Sequence, residues 1–420
     1  MNRKHLFFLS FLILASLFLS ACSGLLPFEE EVANAEYGPA YSPQEHQKRT
    51  FDVLWKNLQD HYIYYEAADT DWQAIQNEYS SRIDSGLTDE EFMSLLNDLE
   101  TELPEGSFAY QSRAERLESD LADFATYDGI GAFVGFQEEE VPHVVVLAVI
   151  DGSPAEQAGI KAHDSIFSID GSPVLVEEGL SVVERIRGPA GSSVQLDVQS
   201  PGMPKRTLDV ERARLTSTGE LEAFNVVGTD YGYLLFPPIG YEGLDRDVFG
   251  ALQNLTSNRK LEGLILDLRV ANSSRGWPLE VLFTMFYNGE IGELYDRTQT
   301  QPLQVQGQDF FSSQTVPLVI LVGENTTGFP EIFAASLQMH ERAVIVGAQT
   351  TGQVETSSTH YLPDGSRMFV QSASFRLPNG DEVGTNGITP DFVVEAGWDE
   401  IKPDDDPVLE RALFILETVK

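Results

Sequence analysis

Apolar positions along this chain follow three successive patterns. Phe51, Leu54, Trp55, Leu58 and Tyr62 recur at three- and four-residue steps, which places them on one helix face. Thr88 with Glu91 three residues on is a capping box ahead of Phe92, Leu95, Leu96 and Leu99. Helical patterning of this kind is predicted from Gln44 to about Tyr127, with the aromatic run at Tyr62 to Tyr65 as core. From 128 to 213 the apolar runs shorten and glycine turns separate them. Ala132, Val134 and Phe136 alternate with Phe133 and Gly135, the two-residue period of a strand. Beyond 214, buried-strand runs at 231–236 and 261–268 flank a helical stretch at 244–255, and 409–419 closes the chain as a helix.

The organising stretch runs from 318 to 355. Leu318 to Val322 are five consecutive apolar residues, the reading of a strand buried on both faces of a parallel sheet. A polar turn follows at 323–328. Pro330 then opens a helix to about His340, since proline at a first turn loses no hydrogen bond. A second strand at 343–346 ends at Gly347. The unit is βαβ, and open α/β sheets bind ligands at the carboxyl ends of such strands.

The middle region carries Gly129-Ile130-Gly131 before a strand, then Gly152-Ser153-Pro154-Ala155-Glu156-Gln157-Ala158-Gly159, Asp164-Ser165-Ile166 and Asp170-Gly171. This set resembles a PDZ module. The resemblance implies a peptide added as a strand at a sheet edge, its terminal carboxylate held by the turn at Gly129, Ile130, Gly131 and Ala132. His163 stands where a glycine usually precedes the aspartate.

The 318–355 stretch in turn resembles the core of the C-terminal processing (tail-specific) serine peptidases. The apolar frame, Glu331-Ile332, Arg342 to Gly347, Thr351-Gly352 and the later Gly387-Ile388-Thr389-Pro390-Asp391 carry the resemblance. It implies a nucleophilic serine three residues before the glutamate and a general-base lysine after the TxG glycine. Those positions here hold Gly328 and Gln353. After Asp267-Leu268-Arg269, family members place a glycine pair whose amide contributes to the oxyanion hole; here Ser273 and Ser274 replace it. Ser107 stands where a subgroup has a histidine.

Nucleophilic catalysis needs an activated oxygen or sulfur beside a base. No lysine lies between Lys260 and Lys402. Thr326 and Thr327 lie in the right turn but read as turn-bonding residues. His340 near a helix end, and His360 beside Ser357, Ser358 and Thr359, are the imidazoles of the second half. No His/Cys/Asp cluster at ligand spacing and no phosphate loop appear, so no metal or cofactor is expected. Asp404 to Asp406 read as a solvated loop.

Arg3, Lys4 and His5 precede an apolar stretch to Leu19 that is too short to span a bilayer, the shape of a signal peptide. It ends Leu19-Ser20-Ala21-Cys22, which resembles a bacterial lipobox and implies a lipid on Cys22, the chain's one cysteine. The formal charge of −39 sets the surface against nucleic acid and anionic lipid.

The expected architecture is α/β (α+β multidomain): signal peptide 1–21, acidic tether 22–45, helical N-terminal region 46–127, PDZ domain 128–213, a ClpP/crotonase-like α/β peptidase core at 214–398, and a C-terminal helix in 399–420. The expected protein is extracytoplasmic and lipid-anchored to a bacterial membrane. Its expected partners are polypeptide C-terminal tails or unstructured exported proteins. Missing catalytic groups favour a non-catalytic peptide-binding or scaffolding relative; the alternative is an active serine-type peptidase with a displaced catalytic set.

Overall fold

A computed structural model describes residues 41–418, apart from 105, 123–126, 139–140, 216–218, 273–275 and 403–404. Cys22, the signal segment and nearly all of the tether fall outside the described residues, as do Ser273 and Ser274.

Three helices open the described chain: α1 (Pro43–His61), α2 (Trp72–Asp84) and α3 (Asp89–Glu102). Ser42 and Thr88 start α1 and α3 as capping boxes with Glu45 and Glu91, each satisfying backbone N–H groups that a helix start leaves unpaired. Phe51, Leu54, Leu58, Leu95, Leu96 and Leu99 bury their side chains together with Met368 and Val370 from the far end of the chain. The helical pattern is interrupted before residue 127: a strand occupies 108–111, and a further helix, Arg113–Ala122, follows it. Strand β1 (Phe108–Gln111) pairs antiparallel with Arg367–Arg376. Its four residues alternate buried and half-buried, and its partner lies too far along the sequence for local periodicity to reveal it.

The PDZ module follows. Strands β2 (Tyr127–Gly129) and β9 (Ala213–Leu215) pair where the chain enters and leaves it. Between them lie β3 (Ala132–Gln137), β4 (His143–Val149), β5 (Ser165–Ile169), β6 (Ser172–Pro173), β7 (Ser193–Gln199) and β8 (Arg206–Glu211). They form a sheet in the order β3-β4-β5-β7-β8, with β6 on β5. Ser153 caps a short helix, Pro154–Gln157, with Pro154 in its first turn.

The second half contains two sheets. The first takes β10 (Glu222–Asn225), β11 (Tyr231–Leu235), β12 (Gly263–Asp267), β15 (Leu318–Val322), β16 (Val344–Gly347) and β19 (Phe392–Val393), in that order; all pairs but β10–β11 are parallel. The second takes β13 (Gly289–Tyr295), β14 (Thr300–Val305), β17 (Thr356–Tyr361) and β18 (Arg367–Arg376), together with β1.

All five residues of β15 are buried, and successive side chains serve opposite layers. Leu318, Ile320 and Val322 pack with Leu252 of α4 (Leu244–Thr256), Phe283 of α5 (Leu279–Phe286) and Phe333 of α6 (Phe329–Met339). Val319 and Leu321 face Val408, Ala412 and Leu416 of α7 (Pro407–Thr418). Each large side chain so buried contributes about 1.5–3 kcal/mol, which makes this sheet the rigid frame of the cleft.

Candidate functional site

The cleft lies at the carboxyl ends of β12, β15 and β16. Gly328 starts α6 at φ 71° and ψ −127°. A residue with a side chain would be strained there, as nucleophiles on sharp strand-to-helix turns are. The backbone of such a turn is present, with glycine at the position where the family resemblance implies a nucleophile.

Glu331 holds this turn. It is fully buried, and its Oε2 accepts from the Gly328 N–H at 3.0 Å while Oε1 accepts from the Gly352 N–H at 2.8 Å. One carboxylate therefore ties the nucleophile position to the loop of the base position. Burial pushes its pKa up, against donors from Thr350, Gly352, Gly328 and Gln353 that pull it down. Gly352 sits at φ 81°, and an added Cβ would lie 2.7 Å from the Gly387 amide nitrogen, so the loop is locked in place. Gln353 is exposed. Its amide has no useful basicity, so it cannot serve as the lysine would.

Thr326 is buried; its hydroxyl donates to the Leu268 carbonyl at 2.8 Å and accepts from the Gly323 N–H at 2.9 Å. The Thr327 N–H donates to the Ala271 carbonyl at 3.1 Å. These bonds pin the turn to the segment after β12, which is the turn-bonding role expected from sequence.

Below the turn lies an ion network that sequence reasoning missed. Arg269 donates to Asp267 through Nε (3.0 Å) and Nη2 (2.6 Å), and to Asp406 through Nη1 (3.1 Å) and Nη2 (2.8 Å). The Tyr233 hydroxyl donates to Asp267 at 2.5 Å, and burial drives its pKa far up. Asp406 also caps α7 by accepting from the Val408 and Leu409 N–H groups. The expectation of a solvated acidic loop is therefore wrong for Asp406: a buried arginine needs its charge. The signal available was Asp267 and Arg269 two residues apart at a strand end, hence on one side.

The remaining candidates lie elsewhere. His340 is at the opposite end of α6 from Gly328, stacked on Tyr287 with centroids 4.4 Å apart. Ser107 is buried beside the helical region, its hydroxyl without a protein partner. Ser358 and His360 do meet, Oγ to Nε2 at 2.8 Å, on one side of β17. His61 stacks on His360 at 4.5 Å, and burial followed by that neighbour lowers the His360 pKa.

A cavity of about 780 Å3 opens where the core cleft meets the PDZ module. Gly323, Asn325 and Ala348 line it from the core, and Gln137, His143 and Lys205 from the module. No serine, threonine or cysteine is among the described residues that line it. The PDZ turn itself is braced by its carbonyls: Ile130 O accepts from the Ala155 N–H at 2.8 Å, and Gly131 O from the Ile150 N–H at 2.9 Å. Gly131 sits at φ 84°, where an added Cβ would lie 2.3 Å from Ser153 Cβ. Ala132, Val134 and Phe136 are half-buried apolar residues of β3. At its far end, Gln137 donates to Glu324 of the core turn at 3.3 Å.

Comparison with known proteins gives three matching regions: residues 230–394 match peptidase family S41, 145–200 a PDZ domain and 43–99 a Tricorn protease C1 domain. A carboxyl-terminal-processing protease of Picosynechococcus is 33% identical over 279 residues, covering 62% of this chain and 64% of that one. A carboxy-terminal-processing protease of Bartonella bacilliformis is 28% identical over 273 residues, covering 64% and 62%. The chain thus spans under two thirds of these relatives' length. Among solved structures, a photosystem II D1 C-terminal processing protease shares the fold at TM-score 0.65 and 22% identity, over 88% of this chain and 97% of that one.

Proposed function

Because the chain belongs to the C-terminal processing peptidase family, with its PDZ and S41 regions, we propose that it is a non-catalytic member that binds polypeptide tails. The observation that carries this reading is Gly328, which leaves the strand-to-helix turn without a side chain at the expected nucleophile position. With nucleophile and base both absent, the loss expected from the usual mechanism is about 10⁶-fold in turnover.

Peptide recognition rests on different chemistry. A tail pairing antiparallel with β3 would place its carboxylate at Gly129–Gly131 and run towards Gln137. The six residues of β3 span roughly 20 Å, which brings the upstream part of the tail to the core turn. Scaffolding or presentation of exported chains would follow. The lipobox supports attachment to a bacterial membrane through Cys22, and no helix among the described residues is long and apolar enough to cross one.

Three measurements test this. Free-carboxylate peptides should bind the purified protein better than their amidated forms, and unstructured polypeptides should survive incubation uncut. A fluorophosphonate probe should leave the wild type unlabelled. The second reading, a displaced catalytic set, is favoured by one contact, Ser358 to His360. Stoichiometric labelling of Ser358 with a parallel loss of cleavage would establish that reading instead. For the anchor, Cys22→Ser should release the protein from the membrane fraction; unchanged fractionation and mass would refute it.

A further inference from the structure

Two histidines of the PDZ module grip two consecutive residues of the segment that follows the core. His163 Nδ1 lies 2.7 Å from the Trp398 carbonyl, and its ring lies tilted at 38° against the indole with centroids 4.2 Å apart. His143 Nε2 lies 2.9 Å from Asp399 Oδ2, which also accepts from the Ser165 hydroxyl at 3.2 Å. Trp398 is itself wedged between domains. Its Nε1 donates to the Val146 carbonyl at 3.1 Å, and it packs with Val145 and Leu147 of β4 and Val270 of the core.

His163 adopts φ 74°, a left-handed conformation that favours glycine. This explains why a glycine was expected at that position. An ordinary side chain there costs roughly 1–2 kcal/mol, so the contacts with Trp398 must offset a strain that glycine would not carry.

His143 is held by acceptors on both sides, with Nδ1 2.7 Å from the Val141 carbonyl and Nε2 on Asp399. A neutral imidazole has one N–H and satisfies one of these oxygens; the imidazolium satisfies both. Both nitrogens are therefore occupied, so His143 is no general base despite lining the cavity.

We propose that His143 and His163 form a proton-operated clamp on Trp398 and Asp399 that docks the PDZ module on the core and whose release opens the cavity between them.

The charged groups around each ring fix the direction of the response. His143 faces Asp399 and Lys205; burial opposes its charge, but Asp399 and Val141 outweigh burial and lysine, and its pKa is raised. His163 faces Arg269, Asp406 and Asp267 of the core; burial is the largest effect and its pKa is lowered. In an undocked module both rings return towards the ordinary value of about 6.5. The His143 contribution to docking is then complete below about 6.5 and fades as pH rises through its raised docked value. The His163 contribution is complete above about 6.5 and fades as pH falls towards its lowered docked value. Docking is tightest between the two limbs.

The test is a distance measurement on the full chain. Ser172→Cys in β6 and Gln253→Cys in α4, both exposed, would carry spin labels on a Cys22→Ser background. Distances would be recorded from about pH 5 to about pH 9, which spans both imidazole titrations. The docked-to-undocked ratio should peak near neutrality and fall by up to about tenfold per pH unit on either side. His143→Gln should flatten the alkaline limb. His163→Gly, which suits the left-handed backbone and so preserves the module's fold, should flatten the acid limb. A wild-type distance that does not change with pH would overturn the clamp, as would an unchanged pH response in the double variant.

Discussion

The two glycine turns of this chain, Gly129–Gly131 in the PDZ module and 323–328 in the core, are built alike and have kept different things. Both place a glycine at positive φ beside a strand, Gly131 at 84° and Gly328 at 71°, and both are fixed by buried hydrogen bonds. On the proposed reading the PDZ turn would recognise a carboxylate with its main chain, so an intact fold would be enough to keep that chemistry. The chemistry that the family resemblance implies for the core turn would need a side-chain nucleophile at position 328 and a base at 353, where Gly328 and Gln353 stand in an otherwise whole frame. Function carried by the backbone lasts as long as the packing lasts; function carried by side chains can be lost without any packing change.

The strongest way to break this comparison is to remove the frame of the core turn. Glu331→Ala takes the buried acceptor from the Gly328 and Gly352 N–H groups at once. A buried donor left unpaired costs about 1–3 kcal/mol, so urea unfolding should show a loss of about 3 kcal/mol. Peptide binding by the PDZ turn should persist wherever the protein stays folded. If stability hardly changed, Glu331 would not be the tie described.

Gly131→Ala attacks the other turn. The new Cβ must displace Ser153 at a backbone angle alanine disfavours, a strain of about 2 kcal/mol. Affinity for free-carboxylate peptides should fall at least tenfold, with no effect on binding of the amidated forms. Equal binding of both forms by wild type and variant would remove the carboxylate site from this turn.

Gly328→Ser with Gln353→Lys sharpens the comparison from the core side. A serine at φ 71° should cost about 1–2 kcal/mol, read as a lowered midpoint of thermal unfolding. Because the frame is unaffected, the loss should stay below that of Glu331→Ala. A larger loss would mean that the space beside Gly328 is filled by packing.

Much of this contrast is legible in the sequence. The five apolar residues of β15, the proline that opens α6 and the glycine turns of the module are local patterns, and each appears within a residue or two of its expected place. The gap between Gly328 and its expected serine was equally visible. Whatever depended on distant partners was not. Strand β1 hid in a helical stretch because β18 lies at the other end of the chain. Asp406 looked solvated because nothing local shows that Arg269 reaches it. His163 looked like a defect in a glycine position until Trp398 supplied its partner. Glu331 was matched as part of a motif, but its role needed both ends of its carboxylate.

The smallest expected effect concerns that same carboxylate and follows from its raised pKa. In the unfolded chain Glu331 ionises at the ordinary glutamate value, while in the fold burial holds the proton to a higher pH. Between those two values the native state binds more protons than the unfolded state, so stability falls as pH rises. The contribution is complete below the unfolded value and is lost as pH climbs through the folded one, at up to about 1.4 kcal/mol per pH unit inside that window. Other carboxylates titrate there as well. Asp399, for example, has a pKa lowered despite burial by its bond to His143, and acts in the opposite direction. The measurement is therefore a difference: unfolding free energy against pH for wild type and Glu331→Gln, in which the titration at this site is gone. The wild type should lose stability relative to the variant as pH rises out of the acid range. Parallel curves would show that the Glu331 carboxyl titrates as it does in the unfolded chain, and that its backbone donors fully offset the burial.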